Sequence, residues 1–156
     1  MKPDSRDLRL IEHLSDGQFH SGSELAELIG ISRTAVWKHL RALESLGLDV
    51  PAVPGRGYRL NTPVEPLSAR RLSENLSAEV KGLLTHRDLQ SVVDSTNAQL
   101  LRRAQAQGDS GSVCIAEYQS AGRGRVGRAW VSPYGANIYL SVVWRFQDPS
   151  QLGGLS

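Results

Sequence analysis

An α+β chain in two parts is what the sequence predicts: a three-helix head closed by a short hairpin, then a mixed α/β segment. Three observations carry that reading. Apolar residues recur at helical spacing three times before Gly47. Two extended runs around a glycine-rich turn follow them. A proline-containing stretch then separates these from a region where strand and helix patterns alternate.

Leu8, Leu10, Ile11 and Leu14 mark the first helix, which Asp16-Gly17 breaks. Ser21 with Glu24 three residues on is a capping-box pattern ahead of Leu25, Leu28 and Ile29, and Gly30 stops this second helix after about two turns. Ser32 caps a third helix that carries Val36, Leu40, Leu43 and Leu46 on one face and ends at Gly47. Leu48–Val53 reads as a strand, Pro54-Gly55-Arg56-Gly57 as a turn and Tyr58–Leu60 as the returning strand. Prolines at 63 and 66 disfavour regular structure, so the expected division is a head over 1–61, a linker over 62–66 and a second domain over 67–156. In that domain the patterns predict a helix over Ser68–Leu76, a strand over Leu89–Val93, a helix over Thr96–Gln107, a strand over Ser112–Glu117 and a last strand over Asn137–Arg145.

With 156 residues, 40% hydrophobic and 22% charged, the chain can bury a core. Its net charge is only +2, and residues 1–60 carry eight Lys/Arg against eight Asp/Glu, so any nucleic-acid reading rests on local placement of charge. A polar N-terminus and the lack of any run of 18 apolar residues give the expectation of a soluble, cytoplasmic chain with no membrane partner. Cys114, alone and set between Val113 and Ile115, reads as a buried strand residue.

Two short helices joined by Gly30-Ile31-Ser32 have the size and turn chemistry of a helix-turn-helix, and the hairpin adds a wing. If Val36, Leu40 and Leu43 face inward, then Arg33, Thr34, Trp37, Lys38 and Arg41 share the outer face of the third helix. From Arg33 to Arg59 five basic residues stand against two acidic ones, which concentrates positive charge on helix and wing. Ser32, Arg33, Thr34, Trp37, Lys38, Arg41 and Arg56 are therefore the candidate DNA contacts, the alternative being a solvated helix face. Trp37 suits a thymine methyl, the edge of the core or a dimer surface. His20 and His39 have no partners at metal-binding spacing in the sequence and read as structural, so no metal site is expected.

Gly122-Arg123-Gly124-Arg125-Val126-Gly127 matches a dinucleotide fingerprint in letters, but that fingerprint needs a helix next, and Trp130, Val131 and Pro133 oppose one. Alternating glycine and arginine instead suits closure over a carboxylate or phosphate, with a flexible surface loop or a nucleic-acid contact of the RGG sort as the alternative. Asp94-Ser95-Thr96-Asn97 lies at a strand-to-helix passage, where it caps the helix and can also hold a polar ligand.

These motifs in this order, from Asp94-Ser95-Thr96-Asn97 through Glu117-Tyr118-Gln119-Ser120-Ala121-Gly122-Arg123-Gly124-Arg125-Val126-Gly127-Arg128-Ala129-Trp130 to Ser132-Pro133-Tyr134-Gly135-Ala136-Asn137, resemble the biotin-protein ligase family. Phe19-His20-Ser21-Gly22, the helix opening Ser32-Arg33-Thr34-Ala35-Val36-Trp37-Lys38-His39 and the wing Val53-Pro54-Gly55-Arg56-Gly57-Tyr58 resemble the branch that also represses the biotin operon. The resemblance implies a winged helix-turn-helix followed by a class II synthetase-like catalytic domain, which makes biotinyl-5'-adenylate from biotin and ATP with Mg2+. It implies transfer to a lysine on the biotin carboxyl carrier domain of a carboxylase, and operator DNA binding as a ligand-bound homodimer. By the same resemblance Ser95, Thr96, Asn97, Gln119 and the backbone of Arg123-Gly124-Arg125 line the biotin site. Arg123, Arg125 and Arg128 hold carboxylate and α-phosphate as the catalytic groups, and Trp130 packs near adenine.

The family's Lys-Trp-Pro-Asn-Asp motif does not occur in these 156 residues. The expectation is a C-terminally truncated relative with an incomplete catalytic portion, an uncovered apolar sheet face and no ligase activity by itself. A DNA-binding, ligand-sensing repressor without catalysis is the second reading, and acyl-adenylate chemistry on lipoate a third.

Overall fold

The computed structural model describes residues 3–106, 110–124, 126, 128 and 130–148. Helix α1 (Ser5–Leu14) begins in a capping box: the Asp4 carboxylate accepts from the Arg6 and Asp7 backbone N–H groups, and the Asp7 carboxylate accepts from Asp4 N–H. Helix α2 (Gly22–Ile29) has the Ser21/Glu24 box, and Gly30 at φ 68° ends it in the left-handed conformation a Cβ disfavours. Helix α3 (Arg33–Glu44) starts from Ser32, whose Oγ accepts from Ala35 N–H. Leu10, Ile11, Leu14, Leu25, Ile29, Val36, Leu40 and Leu43 meet where the three helices converge. Burying each such side chain contributes about 1.5–3 kcal/mol relative to leaving it in water.

The wing is shorter than expected, two residues each in β1 (Ala52–Val53) and β2 (Gly57–Tyr58), paired antiparallel. Pro51 and Pro54 bracket β1 and donate nothing to a ladder. Before it, Leu48 is sunk in the helical core and Asp49 is tied to Asn61 by backbone and side chain. His20, between α1 and α2, extends the wing by exchanging two backbone hydrogen bonds with Tyr58 at 2.9 and 2.8 Å.

Beyond the linker, α4 (Ala69–Asn75) lies where expected, capped by Ser68, and is followed by α5 (Ala78–Leu83), capped by Ser77, which sequence reading missed. Neither helix buries a residue. The sheet has three strands in the order β3 (His86–Gln90), β4 (Ser112–Ala116), β5 (Tyr139–Val143), with β3 parallel and β5 antiparallel to β4. The expected strand at Leu89–Val93 is displaced to His86–Gln90 because pairing with β4 runs from His86↔Ser112 to Gln90↔Ala116; Val93 keeps one parallel bridge, to Gln119. Helix α6 (Thr96–Ala106) links β3 to β4, and the expected last residue, Gln107, lies outside the described residues. Cys114 is fully buried in β4, and burial pushes its thiol up to about 11.

One sheet face is open. Leu89, Val113, Ile115, Leu140 and Val142 look across a 630 Å³ groove at Leu72 of α4, Leu76 just after it and Val80 of α5, leaving Leu140 and Val142 about half exposed. The two parts of the chain also share a core. Tyr134, from the segment before β5, joins the head's cluster beside Leu46 and Val64, and its N–H donates to Leu46 C=O at 2.8 Å. Gly135 at φ 63° lets the chain pass Val64, where a Cβ would come within 2.7 Å of that side chain. Among the described residues no helix is long and apolar enough to cross a membrane.

Candidate functional site

Two sites emerge, a pocket on the α/β part and a basic surface on the head. The pocket, about 280 Å³, is walled by Ser95, Thr96, Asn97, Gln119, Arg123, Trp130, Ile138, Tyr139 and Leu140. Ser95 caps α6: its C=O accepts from Gln99 N–H and its Oγ from Ala98 N–H, which aims the start of the helix at the pocket. Gln119 Oε1 accepts from both the N–H (2.9 Å) and the hydroxyl (3.2 Å) of buried Thr96, and the Thr96 hydroxyl lies 2.9 Å from Ser141 Oγ. That network locks the Gln119 amide, so its nitrogen is oriented as a donor beside the cavity. Gly122 is closely enclosed: a Cβ there would sit 3.2 Å from Trp130 Cβ and 3.3 Å from both Gln119 Nε2 and Ser132 Oγ, so those side chains would have to give by a few tenths of an ångström.

Asp94 stands outside the pocket. Its carboxylate takes two hydrogen bonds from Arg102 (2.8 and 2.9 Å) and one from Ser95 N–H, and the guanidinium, followed by that backbone donor, lowers it to about 2. Its role is to hold the strand-to-helix turn, and no carboxylate lines the pocket among the described residues.

Ser95, Thr96, Asn97, Gln119, Arg123 and Trp130 are thus brought together as the sequence suggested. Gly124 is placed differently: its N–H donates to Arg128 C=O at 2.8 Å, which closes the arginine loop on itself and leaves that donor unavailable to a ligand. Arg128 does not line the pocket, and Arg125, like Gly127 and Ala129, lies outside the described residues. Ile138 and Tyr139 add apolar surface and Leu140 borders the pocket, a role visible only once β5 is laid beside β4.

On the head, Arg33, Thr34, Trp37 and Lys38 are exposed along α3, and Arg33, Thr34, Trp37 and Tyr58 rim a shallow depression between helix and wing. Arg41 is partly spent, hydrogen-bonded to Glu44 at 2.8 Å and lying 5.4 Å from the Trp37 ring. Ser32 is committed to its cap. Arg56 stacks on Phe19 at 3.9 Å with Arg59 at 4.6 Å, so Phe19 holds both wing guanidiniums in place; sequence reading had no role for Phe19.

The histidines correct the spacing argument. The fold brings His20 against Glu24 and Asp16 and within 4.2 Å, ring to ring, of His13, so His20 does have partners of metal-ligating type. His39 is structural: its Nδ1 lies 2.8 Å from buried Asp7. Burial opposes protonation of His20, but Asp16 and Glu24 together outweigh it and its pKa is raised.

A winged helix-turn-helix head packed on a ligase-type α/β unit is the class these features define. Residues 6–59 match the family described as an HTH domain, and residues 89–154 match the biotin/lipoate A/B protein ligase family. The chain thus joins a match to a helix-turn-helix family and a match to the biotin/lipoate protein ligase family in one sequence. It is 47% identical over 157 aligned positions to the bifunctional ligase/repressor BirA of Salmonella typhimurium and 46% to that of Escherichia coli; each alignment takes in 100% of this chain and 47% of the relative. The BirA protein of Bacillus spizizenii is 38% identical over 144 residues, which are 91% of this chain and 44% of that protein. The chain therefore spans about half the length of the curated relatives it matches.

Proposed function

We propose that this chain is the DNA-binding and biotin-recognising part of a cytoplasmic biotin-protein ligase that also represses the biotin operon. The carrying observation is the convergence of Ser95, Thr96, Asn97, Gln119 and Arg123 with Trp130 on one pocket that Ile138 and Tyr139 also line. Hydroxyl and amide groups suit the ureido head of biotin, and the Ile138–Leu140 wall suits its ring and chain. By the resemblance Arg123, Arg125 and Arg128 would supply guanidinium donors to the biotin carboxylate and the α-phosphate of ATP, stabilising charge that builds during adenylation; of the three, Arg123 lines the pocket. With no carboxylate lining the pocket, Mg2+ fits as a companion of the nucleotide rather than as a resident ion. The acceptor is a lysine on the biotin carboxyl carrier domain of a carboxylase, and the ligand-loaded form binds operator DNA as a homodimer. The 156 residues alone are expected to make no adenylate, since no lysine lines the pocket among the described residues. The same observation favours, as a second reading, a ligand-sensing repressor without catalysis.

Radiolabelled biotin and ATP separate these. Adenylate from a version extended along its genomic reading frame, and none from the 156-residue chain, is expected. No adenylate from the extended chain would remove the ligase assignment, and adenylate from the short one would remove the claim of inactivity. In a mobility shift on a palindromic operator, Arg33→Ala and Lys38→Ala should each weaken binding and lower the salt dependence by roughly one counterion. An unchanged shift removes that residue from the interface.

A further inference from the structure

The head carries a cluster that neither biotin chemistry nor DNA reading uses. His13 sits in the last turn of α1, His20 in the strand-like segment that pairs with the wing, and Glu24 in the first turn of α2. Three separate pieces of chain thus send side chains to one point. His13 Nε2 lies 3.1 Å and His20 Nδ1 2.7 Å from the same oxygen, Glu24 Oε1, and one ligand atom from each residue falls within 4.8 Å of the others.

We propose that His13, His20 and Glu24 form a binding site for a divalent transition-metal ion of the zinc type, which ties the wing to the helical head. Two imidazole nitrogens and one carboxylate oxygen are a donor set that suits Zn2+, and bonds of about 2.0–2.1 Å in a tetrahedron put ligand atoms roughly 3.3 Å apart. The observed 2.7 and 3.1 Å each fall within an ångström of that separation, and one ligand atom from each of the three residues lies within 4.8 Å of the others.

The surroundings agree in two ways. Both oxygens of Asp16 face His20 Nε2, at 3.0 and 3.1 Å. A carboxylate behind a ligating histidine keeps the proton on Nε2, so an entering ion would displace the Nδ1 proton that His20 shares with Glu24 and take up that lone pair. With the two imidazoles neutral, Asp16 and Glu24 leave two negative charges that a dication balances. His20 is buried and sets the geometry, while His13 and Glu24 are partly solvent-exposed, which gives an ion a way in and leaves the fourth position to water. The other candidate cluster, Asp4, Asp7 and His39, offers a single imidazole, and its carboxylates serve the α1 cap and His39.

Because His20 exchanges two backbone hydrogen bonds with Tyr58, an ion held here fixes the wing against α1 and α2. The test is titration of the chain with Co2+ followed by visible absorption, and with Zn2+ followed by calorimetry. One equivalent with the intense visible bands of four-coordinate Co2+ is expected. His13→Ala and Glu24→Gln should each weaken binding more than tenfold; glutamine preserves the α2 capping box, and His13 lies at the surface, so both variants keep the fold. Asp16→Ala should weaken it by about 10–100-fold. Absence of a stoichiometric complex, equal binding by the parent and both ligand variants, or a sulfur-to-cobalt band reporting Cys114 instead would each overturn the site.

Discussion

Gly57→Ala isolates one contact on which the wing depends. Gly57 has φ 102°, and a Cβ there would fall on the His20 carbonyl, within 2.7 Å of its carbon and 3.2 Å of Ser21 Cα. All of these are backbone, so no side-chain rotation relieves the clash. A left-handed residue other than glycine costs about 1–2 kcal/mol. Displacing His20 also breaks its two hydrogen bonds with Tyr58, about 1 kcal/mol each. The sum is about 3–4 kcal/mol, a large part of the 5–15 kcal/mol that stabilises an ordinary domain. Gly55→Ala is the internal control. Gly55 has a similar positive φ of 75°, but its Cβ would meet nothing within 4 Å, so only the backbone term of about 1–2 kcal/mol applies. Urea denaturation followed by circular dichroism should give Gly57→Ala a midpoint well below that of Gly55→Ala, and operator binding should fall further for Gly57→Ala. Equal midpoints for the two variants would refute the claim that the His20–Tyr58 pairing holds the wing.

Two further predictions concern the α/β part. Glu117 is buried, and burial raises its pKa against the lowering effect of Leu67 N–H, which donates to it. An acid whose folded pKa is raised contributes its stability below the unfolded pKa and loses it as pH rises through the folded one, so the parent should lose stability as pH climbs out of the carboxylate range. Glu117→Gln should abolish that slope, and a melting-temperature series against pH checks it; an identical slope in the variant would place the titration elsewhere. Thr96→Val keeps the shape but removes the hydroxyl shared by Gln119 and Ser141, and should cost about 1–3 kcal/mol in denaturation while loosening the pocket wall; a loss under 0.5 kcal/mol, taken as a rough threshold, would show the network to be slack.

The head was legible because its signals are local. The apolar spacing of α1, the capping box at Ser21, the glycine stop at Gly30 and the apolar stripe of α3 each act within a few residues, and each element forms where those signals lie. The pocket was named only through the family resemblance; the fold brings Ser95, Thr96, Asn97 and Gln119 to one cavity. What escaped reading is non-local. The sequence His86-Arg87-Asp88-Leu89-Gln90 is polar and shows no alternation, so only its register with β4 makes it a strand. Helix α5 buries nothing and so leaves no periodic trace. The His13–Glu24 contact spans 11 residues and two helices, and Phe19 beneath the wing arginines needs the wing folded back to be seen.

Tyr134 has a practical consequence. The linker divides the chain in sequence, but the division in space runs elsewhere, because a residue more than 70 positions past Asn61 fills part of the head's interior. A head severed at the linker would be left with a hole where the phenol sat, and the severed remainder would carry a bare aromatic ring and Pro133, which Gly47 now shelters. Surgery on this protein therefore has to graft something in place of the ring, or keep the two pieces in the same tube so that they can find each other again.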